Sequence, residues 1–321
     1  MEKILRRMQS HLCRGEDCML VTVLSRQGSA PRDVGAALLV NSKGSAEGTI
    51  GGGAIEAAAI RHAEMCLAQH CSAVRSYDLT GDVSMSCGGA VTLLFQYADE
   101  PLPLPEAGAC GWLMIDVEPD GRQWSARFRP EAINPCGRTH FEGHTLFCPI
   151  GQAMRVWVFG AGHVAQALVP LLDRLDFRCV VLDDRAEYAS TEHFPAAEFV
   201  HTVDLEQLSL NMSETDAACI MTRGHQSDYA VLRQVLHTNA GYIGLMGSSR
   251  KVAEVEARLR EEGFSQEQIE RVHMPIGTDI SADTPMEIAV SIAGELILHR
   301  ARYQGREKRR HADDRSPLNQ S

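Results

Sequence analysis

Two hydrophobic textures divide this 321-residue chain. In the first hundred residues, short runs of branched apolar residues such as "MLVTVL" (19–24) and "AALLV" (36–40) have the character of β-strands. Ile55, Ala59, Ile60, Ala63 and Leu67 recur at the spacing that gives a helix one apolar face. Two further strand-like runs, "AVRSYDL" and "AVTLLFQY", bracket the loop "TGDVSMSCGG". Together they predict an α+β domain over residues 1–99. The prolines of "EPLPLPEAGACG" then mark a connector, and short alternating runs up to residue 153 predict a small β segment carrying no site. Beyond Met154 strands and helices alternate. "MRVWVFGAG" feeds the helical "HVAQALVPLLDRL", "FRCVVLDD" follows, and "DAACIMTRG" and "AGYIGLMG" are later strands. Helices are expected near 226–238, 248–262 and 284–303. Such βα repeats predict a Rossmann-like parallel sheet over 154–303. The charged, apolar-poor stretch 304–321 predicts a disordered tail. The expected fold class is α/β, with two main lobes around one cleft.

Composition narrows the function classes. Apolar residues make up 44% and charged residues 23%, as in ordinary globular proteins. A net charge of −11 argues against a nucleic-acid binder, which needs clustered Lys and Arg to neutralise phosphate. No apolar run approaches the ~20 residues of a bilayer span, and the N-terminus lacks a signal-peptide core. The expectation is a cytoplasmic protein, with a homodimer the commonest assembly. Ten cysteines without a CxxC pair announce neither a disulfide framework nor a zinc site.

Candidate chemistry gathers in glycine-rich turns. "VFGAGHVA" matches G-x-G-x-x-A through Gly160, Gly162 and Ala165 after a strand and before a helix, with Asp183 ending the next strand. Gly160 permits the turn, Gly162 lets backbone approach a pyrophosphate, and Asp183 could accept hydrogen bonds from a ribose. His163 either meets a phosphate or simply begins the helix. Loops at the carboxyl ends of parallel strands share one edge, which brings in three more segments. "TRGHQSD" offers Arg223, His225 and Asp228; "MGSSRK" puts Ser248 at a helix start with Arg250 and Lys251 adding positive charge; "PIGTDISADTP" delivers Asp279 before a helix capped near Asp283 or Thr284. In the first domain, "GTIGGGAIE" sets Gly51, Gly52 and Gly53 ahead of Glu56. That stretch is either a tight strand-to-helix turn or a backbone cradle for an anion. Arg32 is either a phosphate anchor or a solvated loop residue. Cys87, followed by two glycines, is either a packed cysteine or an accessible thiolate suited to a soft metal.

The segments "GSAPRDVGAALLV", "GTIGGGAIE" and "CGGAV", followed by "VFGAGHVAQAL", "LDDR", "TRGHQSD", "GLMGSSRK" and "PIGTDISADTPMEIAVSIAGELI", resemble the XdhC/CoxF family. Its members are accessory proteins that mature molybdenum hydroxylases such as xanthine dehydrogenase. The resemblance implies that the chain binds molybdenum cofactor, as molybdopterin or its dinucleotide. It implies protection of the cofactor while a cysteine desulfurase supplies sulfur, then insertion into the hydroxylase. By motif it assigns Gly51, Gly52, Gly53, Glu56, Cys87, the Gly160/Gly162 turn and the loop at Asp279 to that site, with Cys87 at the molybdenum end. One departure is visible. The family's G-L-D-I-G-A loop here reads "GTDISA", with Thr278 and Ser281 substituted. The competing expectations are an NAD(P)-dependent oxidoreductase and a nucleotide-binding regulatory module.

Overall fold

The computed structural model describes residues 1–83, 88–106, 109–131, 138–151 and 153–303. The expectations for Cys87 and for a disordered tail over 304–321 lie outside the described residues. The chain divides into two compact units, Met1–Gln152 and Ala153–Ser321.

The first unit runs α1 (Glu2–Leu12), β1 (Cys18–Gly28), β2 (Ala37–Asn41), β3 (Ala46–Gly48), α2 (Gly53–Ala68), β4 (Ala73–Asp78) and β5 (Gly89–Ala98). It continues with β6 (Gly111–Val117), β7 (Trp124–Pro130), β8 (His140–Glu142) and β9 (Thr145–Ile150). Its first sheet is antiparallel with the order β3-β2-β1-β5-β4, and its second has the order β7-β6-β9-β8. The first seven residues of β1 are all buried because both faces of that strand are covered. Met19, Val21 and Val23 pack with Ile55, Ala59 and Ala63 of α2. Cys18, Leu20 and Leu24 pack with Leu5 and Met8 of α1 and with Leu113, Ile115 and Leu146 of the second sheet. The second sheet therefore shares a core with the first. The last four residues of β1 are exposed, and Gly28 pairs with Gly89 at the start of β5.

The second unit runs β10 (Arg155–Phe159), α3 (His163–Arg174), β11 (Arg178–Asp183), β12 (Phe199–Thr202), β13 (Ala217–Ile220) and α4 (His225–Leu236). It ends with β14 (Tyr242–Leu245), α5 (Ser249–Glu261), α6 (Gln266–Glu270), β15 (Val272–His273) and α7 (Pro285–Tyr303). Every pairing in its sheet is parallel, and the strand order is β12-β11-β10-β13-β14-β15. Numbered within the unit, that is the 3-2-1-4-5-6 order of dinucleotide-binding sheets, whose direction of winding reverses between the first and fourth strands. One core lies on each face of the sheet. Val156, Val158, Cys179 and Val181 pack with Leu168 and Leu172 of α3 and Ile292 of α7. Phe159, Val180, Ala218 and Ile243 pack on the other face with Leu232 and Val235 of α4.

Candidate functional site

In the second unit the site elements meet at the carboxyl edge of the sheet, where β10 and β13 diverge. Gly160 leaves β10 with φ +111°, a conformation that L residues rarely adopt. A Cβ there would also overlap the Met221 carbonyl and fall 2.9 Å from Thr222 Cα. The glycine thus allows the end of β10 to press against the end of β13. Gly162 differs in both respects. Its φ is −74°, and a Cβ at this position would meet nothing within 4 Å. It is the N-cap of α3, makes no side-chain cap, and the first turn carries no acidic residue. Gly224 is likewise the N-cap of α4, without a side-chain cap and with open space where a Cβ would sit, although the first turn of this helix carries the buried Asp228. Two helix N-termini without side-chain caps thereby lie at one edge, where the first-turn N–H groups have no partner within their own helix. His163, Arg223 and His225 are exposed beside them.

Asp183 ends β11 but points inward, nearly fully buried. Its carboxylate accepts a hydrogen bond from the Ala161 N–H at 2.6 Å. It also accepts two from the Arg185 guanidinium, each at 2.9 Å, and one from the Arg185 N–H. Burial pushes its pKa up, but the Arg185 guanidinium and the backbone N–H groups outweigh that and hold it at about 2. The carboxylate that could have met a ribose is engaged in clamping the glycine turn. Arg185, two residues after Asp183, is the functional neighbour that the motif did not single out; its guanidinium lies over the Tyr188 ring, 4.0 Å from the centroid.

Lys251 is likewise turned inward. Its ammonium pairs with Asp228 and donates to the Met246 carbonyl at 2.6 Å, with both charged side chains buried. Asp228 accepts from the Thr222 N–H and hydroxyl, each at 2.8 Å. The pair therefore ties the ends of β13 and β14 to the starts of α4 and α5. This corrects the expectation of Lys251 as a free cation for an anion: its charge is spent inside the protein. Ser248 caps α5 by accepting the Lys251 N–H, and Gly247 leaves room for the lysine stem, which a Cβ would approach to 2.6 Å. The guanidinium of Arg250 lies outside the described side chains.

The loop after β15 is held to α7 by Glu295, which accepts from the Tyr242 hydroxyl (2.7 Å), His273 Nδ1 (2.6 Å) and the Gly277 N–H (2.6 Å). Asp279 is exposed, and its carboxylate accepts the Ser281 N–H at 3.2 Å. Ser281 sits at φ +56°, so the backbone keeps the left-handed shape that glycine favours although the side chain has changed. Thr284, one of the two expected caps, accepts the Glu287 N–H at 3.3 Å, while Glu287 accepts the Thr284 N–H at 2.8 Å.

In the first unit the three glycines of the opening turn to α2 have φ values of +138°, +72° and +61°. All three are left-handed, which explains why three glycines stand in a row. A Cβ on Gly51 would also fall 2.5 Å from Pro31 Cγ, which places Arg32 beside this turn; Arg32 itself is exposed. Glu56 caps the turn. One oxygen accepts from the Thr49 hydroxyl at 2.5 Å and from the Ile50 and Gly52 N–H groups at 3.1 Å. These bonds close the strand-to-helix turn. Burial raises its pKa, but the donors prevail and lower it. Gly52 and Gly53 leave open space where a Cβ would be.

The sequence comparisons follow this division. Residues 156–296 match the family described as the XdhC Rossmann domain, and residues 11–78 match the XdhC and CoxI family. The chain thus carries an XdhC and CoxI segment followed by an XdhC Rossmann domain. Its XdhC-type architecture is repeated in a crystal structure described as a xanthine dehydrogenase from Bacillus halodurans. That structure superposes with a TM-score of 0.76 at 22% identity, covering 95% of this chain and 97% of the other. A probable xanthine dehydrogenase subunit of Bacillus subtilis is 26% identical, over 89% of this chain and 94% of its own. The molybdenum cofactor insertion chaperone PaoD of Escherichia coli is 23% identical, over 91% and 86%. The chain spans 42% of the length of YqeB of E. coli, an uncharacterized protein with which it shares 24% identity. Among the described residues, no helix is long and apolar enough to cross a membrane.

Proposed function

We propose that this protein is a molybdenum cofactor chaperone that binds molybdopterin or its dinucleotide without catalytic turnover of its own. In this reading it supports sulfuration of the cofactor and its insertion into a xanthine dehydrogenase-type molybdenum hydroxylase. It works in the cytoplasm, with a cysteine desulfurase as the sulfur source. The observation that carries the reading is the pair of uncapped glycine N-termini, Gly162 and Gly224, beside one sheet edge. Such N–H groups suit the phosphate end of the cofactor, and His163, Arg223 and His225 supply donors around them. When bound, the cofactor supplies the molybdenum centre that the client enzyme uses. The chain's own residues hold and orient it: the α3 and α4 N-termini take phosphate, while Asp183 and the Asp228–Lys251 pair keep those N-termini in place. Cys87 is the proposed ligand at the molybdenum end, because thiolate is the softest side chain available. The name of PaoD supports the same reading.

Engagement of Asp183 by Arg185 leaves no free acidic partner for a ribose diol at this point, which weighs against NAD and equally against the dinucleotide form, and favours the molybdopterin phosphate. The test is direct. Protein purified from cells that make molybdenum cofactor is oxidised and assayed for pterin fluorescence, with molybdenum measured by mass spectrometry. Near-stoichiometric pterin is expected. Preparations empty of both that bind NADH with micromolar affinity would overturn the reading in favour of an oxidoreductase.

A further inference from the structure

The carboxyl end of α2 brings together two cysteines that the proposed function does not use. The helix closes at its Gln69 C-cap, and the chain turns on His70, whose φ of +51° is left-handed. The Cys71 N–H then returns to the Cys66 carbonyl at 3.0 Å, and the His70 N–H to the Leu67 carbonyl at 3.2 Å. These are the paired bonds of a Schellman motif, which sets the two ends of the longer bond side by side, usually as an apolar contact. Here that contact is made of two thiols. Glycine commonly takes the left-handed position. His70 holds it instead with its ring stacked 5.0 Å from that of Tyr97, whose hydroxyl donates to Asp17. The turn is thus held from outside, and the two cysteines with it.

A backbone bond of 3.0 Å leaves the two α-carbons no more than about 6.9 Å apart, within reach of a disulfide. The thiols themselves interact. Burial, and next the adjoining Cys71 thiol, push the Cys66 thiol up to about 11, while the Arg75 guanidinium pulls the other way. Exposure divides the pair: Cys66 is 4% exposed, whereas Cys71 is only half-buried. Cys179 and Cys219 also influence each other, but both are buried in the core beneath α3, out of reach of an oxidant. We infer that Cys66 and Cys71 form a redox-active dithiol, which a hydroperoxide converts into an intrachain disulfide across the end of α2. Cys71, the accessible thiol, reacts first. Its sulfur, as thiolate, attacks one peroxide oxygen. The S–O bond forms, the O–O bond breaks, and the departing hydroxide recovers the thiol proton from solvent as water. Sulfur is oxidised by two electrons and the peroxide is reduced. The Cys66 sulfur then attacks the sulfur of this sulfenic acid. The S–S bond forms, the S–O bond breaks, and the Cys66 proton leaves with the hydroxide as water. Two thiols and one hydrogen peroxide thus give one disulfide and two waters. Closure stops Cys71 short of the irreversible sulfinic acid, and a thiol reductant reverses it.

Trypsin cuts after Arg61 and Arg75 and isolates both cysteines, with no third, in the peptide 62–75. The same peptide carries Met65, 54% exposed, whose sulfoxide records the peroxide dose. The reduced full chain is treated with hydrogen peroxide at neutral pH, denatured in an alkylating reagent, digested and weighed. Wild type is expected to yield this peptide two hydrogens lighter and free of alkyl groups before Met65 sulfoxide accumulates. Dithiothreitol should restore both alkylation sites. In Cys66→Ala, Cys71 should instead be trapped as a sulfenic acid by dimedone and pass to sulfinic acid at higher dose. In Cys71→Ser, a change at a half-buried position that spares the core, Cys66 should oxidise at least tenfold more slowly than in wild type. A wild-type peptide still doubly alkylated once Met65 is oxidised would overturn the inference. So would sulfinic acid at Cys71 without a bridge, a bridge from either cysteine to a different peptide, or undiminished oxidation of Cys66 in Cys71→Ser. Pterin binding is not the readout, so this dithiol can fail while the cofactor reading stands.

Discussion

Gly160 and Gly162 stand two residues apart in one motif and do different work. Gly160 is needed by the fold: it has a left-handed φ and no space for a Cβ against Met221. Gly162 has neither constraint: its φ is ordinary and a Cβ would meet nothing. Gly160→Ala is therefore expected to destabilise the second unit by about 3 kcal/mol or more, combining strain with overpacking. Gly162→Ala should cost about 1 kcal/mol, the disadvantage of alanine at an N-cap, clearly less than Gly160→Ala. It should nevertheless weaken pterin binding at least tenfold. Equal stability losses in the two variants, read by thermal denaturation, would remove the distinction. Asp183 makes a second residue-scale prediction. Its native pKa of about 2 lies below the ordinary 3.8, so the unfolded chain takes up its proton first as pH falls. Its contribution, about 2 kcal/mol, is fully present above pH ~4 and disappears as pH drops toward 2. Asp183→Asn should thus be clearly less stable than wild type at pH 7 in urea, with the gap narrowing between pH 4 and 2.5. A gap independent of pH would mean that the carboxylate's charge does not hold the turn.

At the scale of elements, the site edge is assembled by polar groups that are buried and paired. The Asp228–Lys251 pair joins two strand ends to two helix starts, and Glu295 joins α7 to β14 and to the loop after β15. Removing one member of a buried pair strands the other without water, at a cost of about 3–5 kcal/mol. Lys251→Met should show that loss in chemical denaturation. The double variant Lys251→Met with Asp228→Asn should recover much of it, because the amide still accepts from Thr222 and carries no stranded charge. A double variant no better than the single one would show that the lysine acts through packing alone. Cys66 illustrates the opposite use of burial. It belongs to the core beneath α2, and burial pushes its thiol up to about 11. Cys66→Ser is therefore the control for Cys87→Ser in reconstitution of a client hydroxylase: the first should cost stability and spare activation, the second the reverse.

At the scale of the molecule, each unit has its own cores, and the parallel sheet is covered on both faces by its own helices. A fragment spanning residues 153–303 is expected to unfold in one cooperative transition and to keep the Gly162-dependent affinity for pterin phosphate. A fragment with native helix content but no cooperative melt would show that the second unit depends on the first.

Sequence alone determined the long elements, because periodicity and turn chemistry are local properties. β1, α2, β5, β10, α3 and α7 are visible in their apolar spacing, and the strand–GAGHVA–helix context by itself places a Rossmann turn. Short edge strands were not visible. β3, β12 and β15 have two to four residues, and β3 and β12 are mostly exposed, so no alternation distinguishes them from loop. Within the motifs, residue types were legible but their commitments were not. Nothing in "LDDR" says that Asp183 faces the glycine turn rather than solvent. Nothing in "SSRK" says that Lys251 folds back onto Asp228, 23 residues earlier. Hydrogen-bond partners across such separations are chosen by packing, which fixes which charges lose their water and must pair. The tertiary structure decided which glycine the fold itself requires, which it leaves unconstrained, and which charges are already paired.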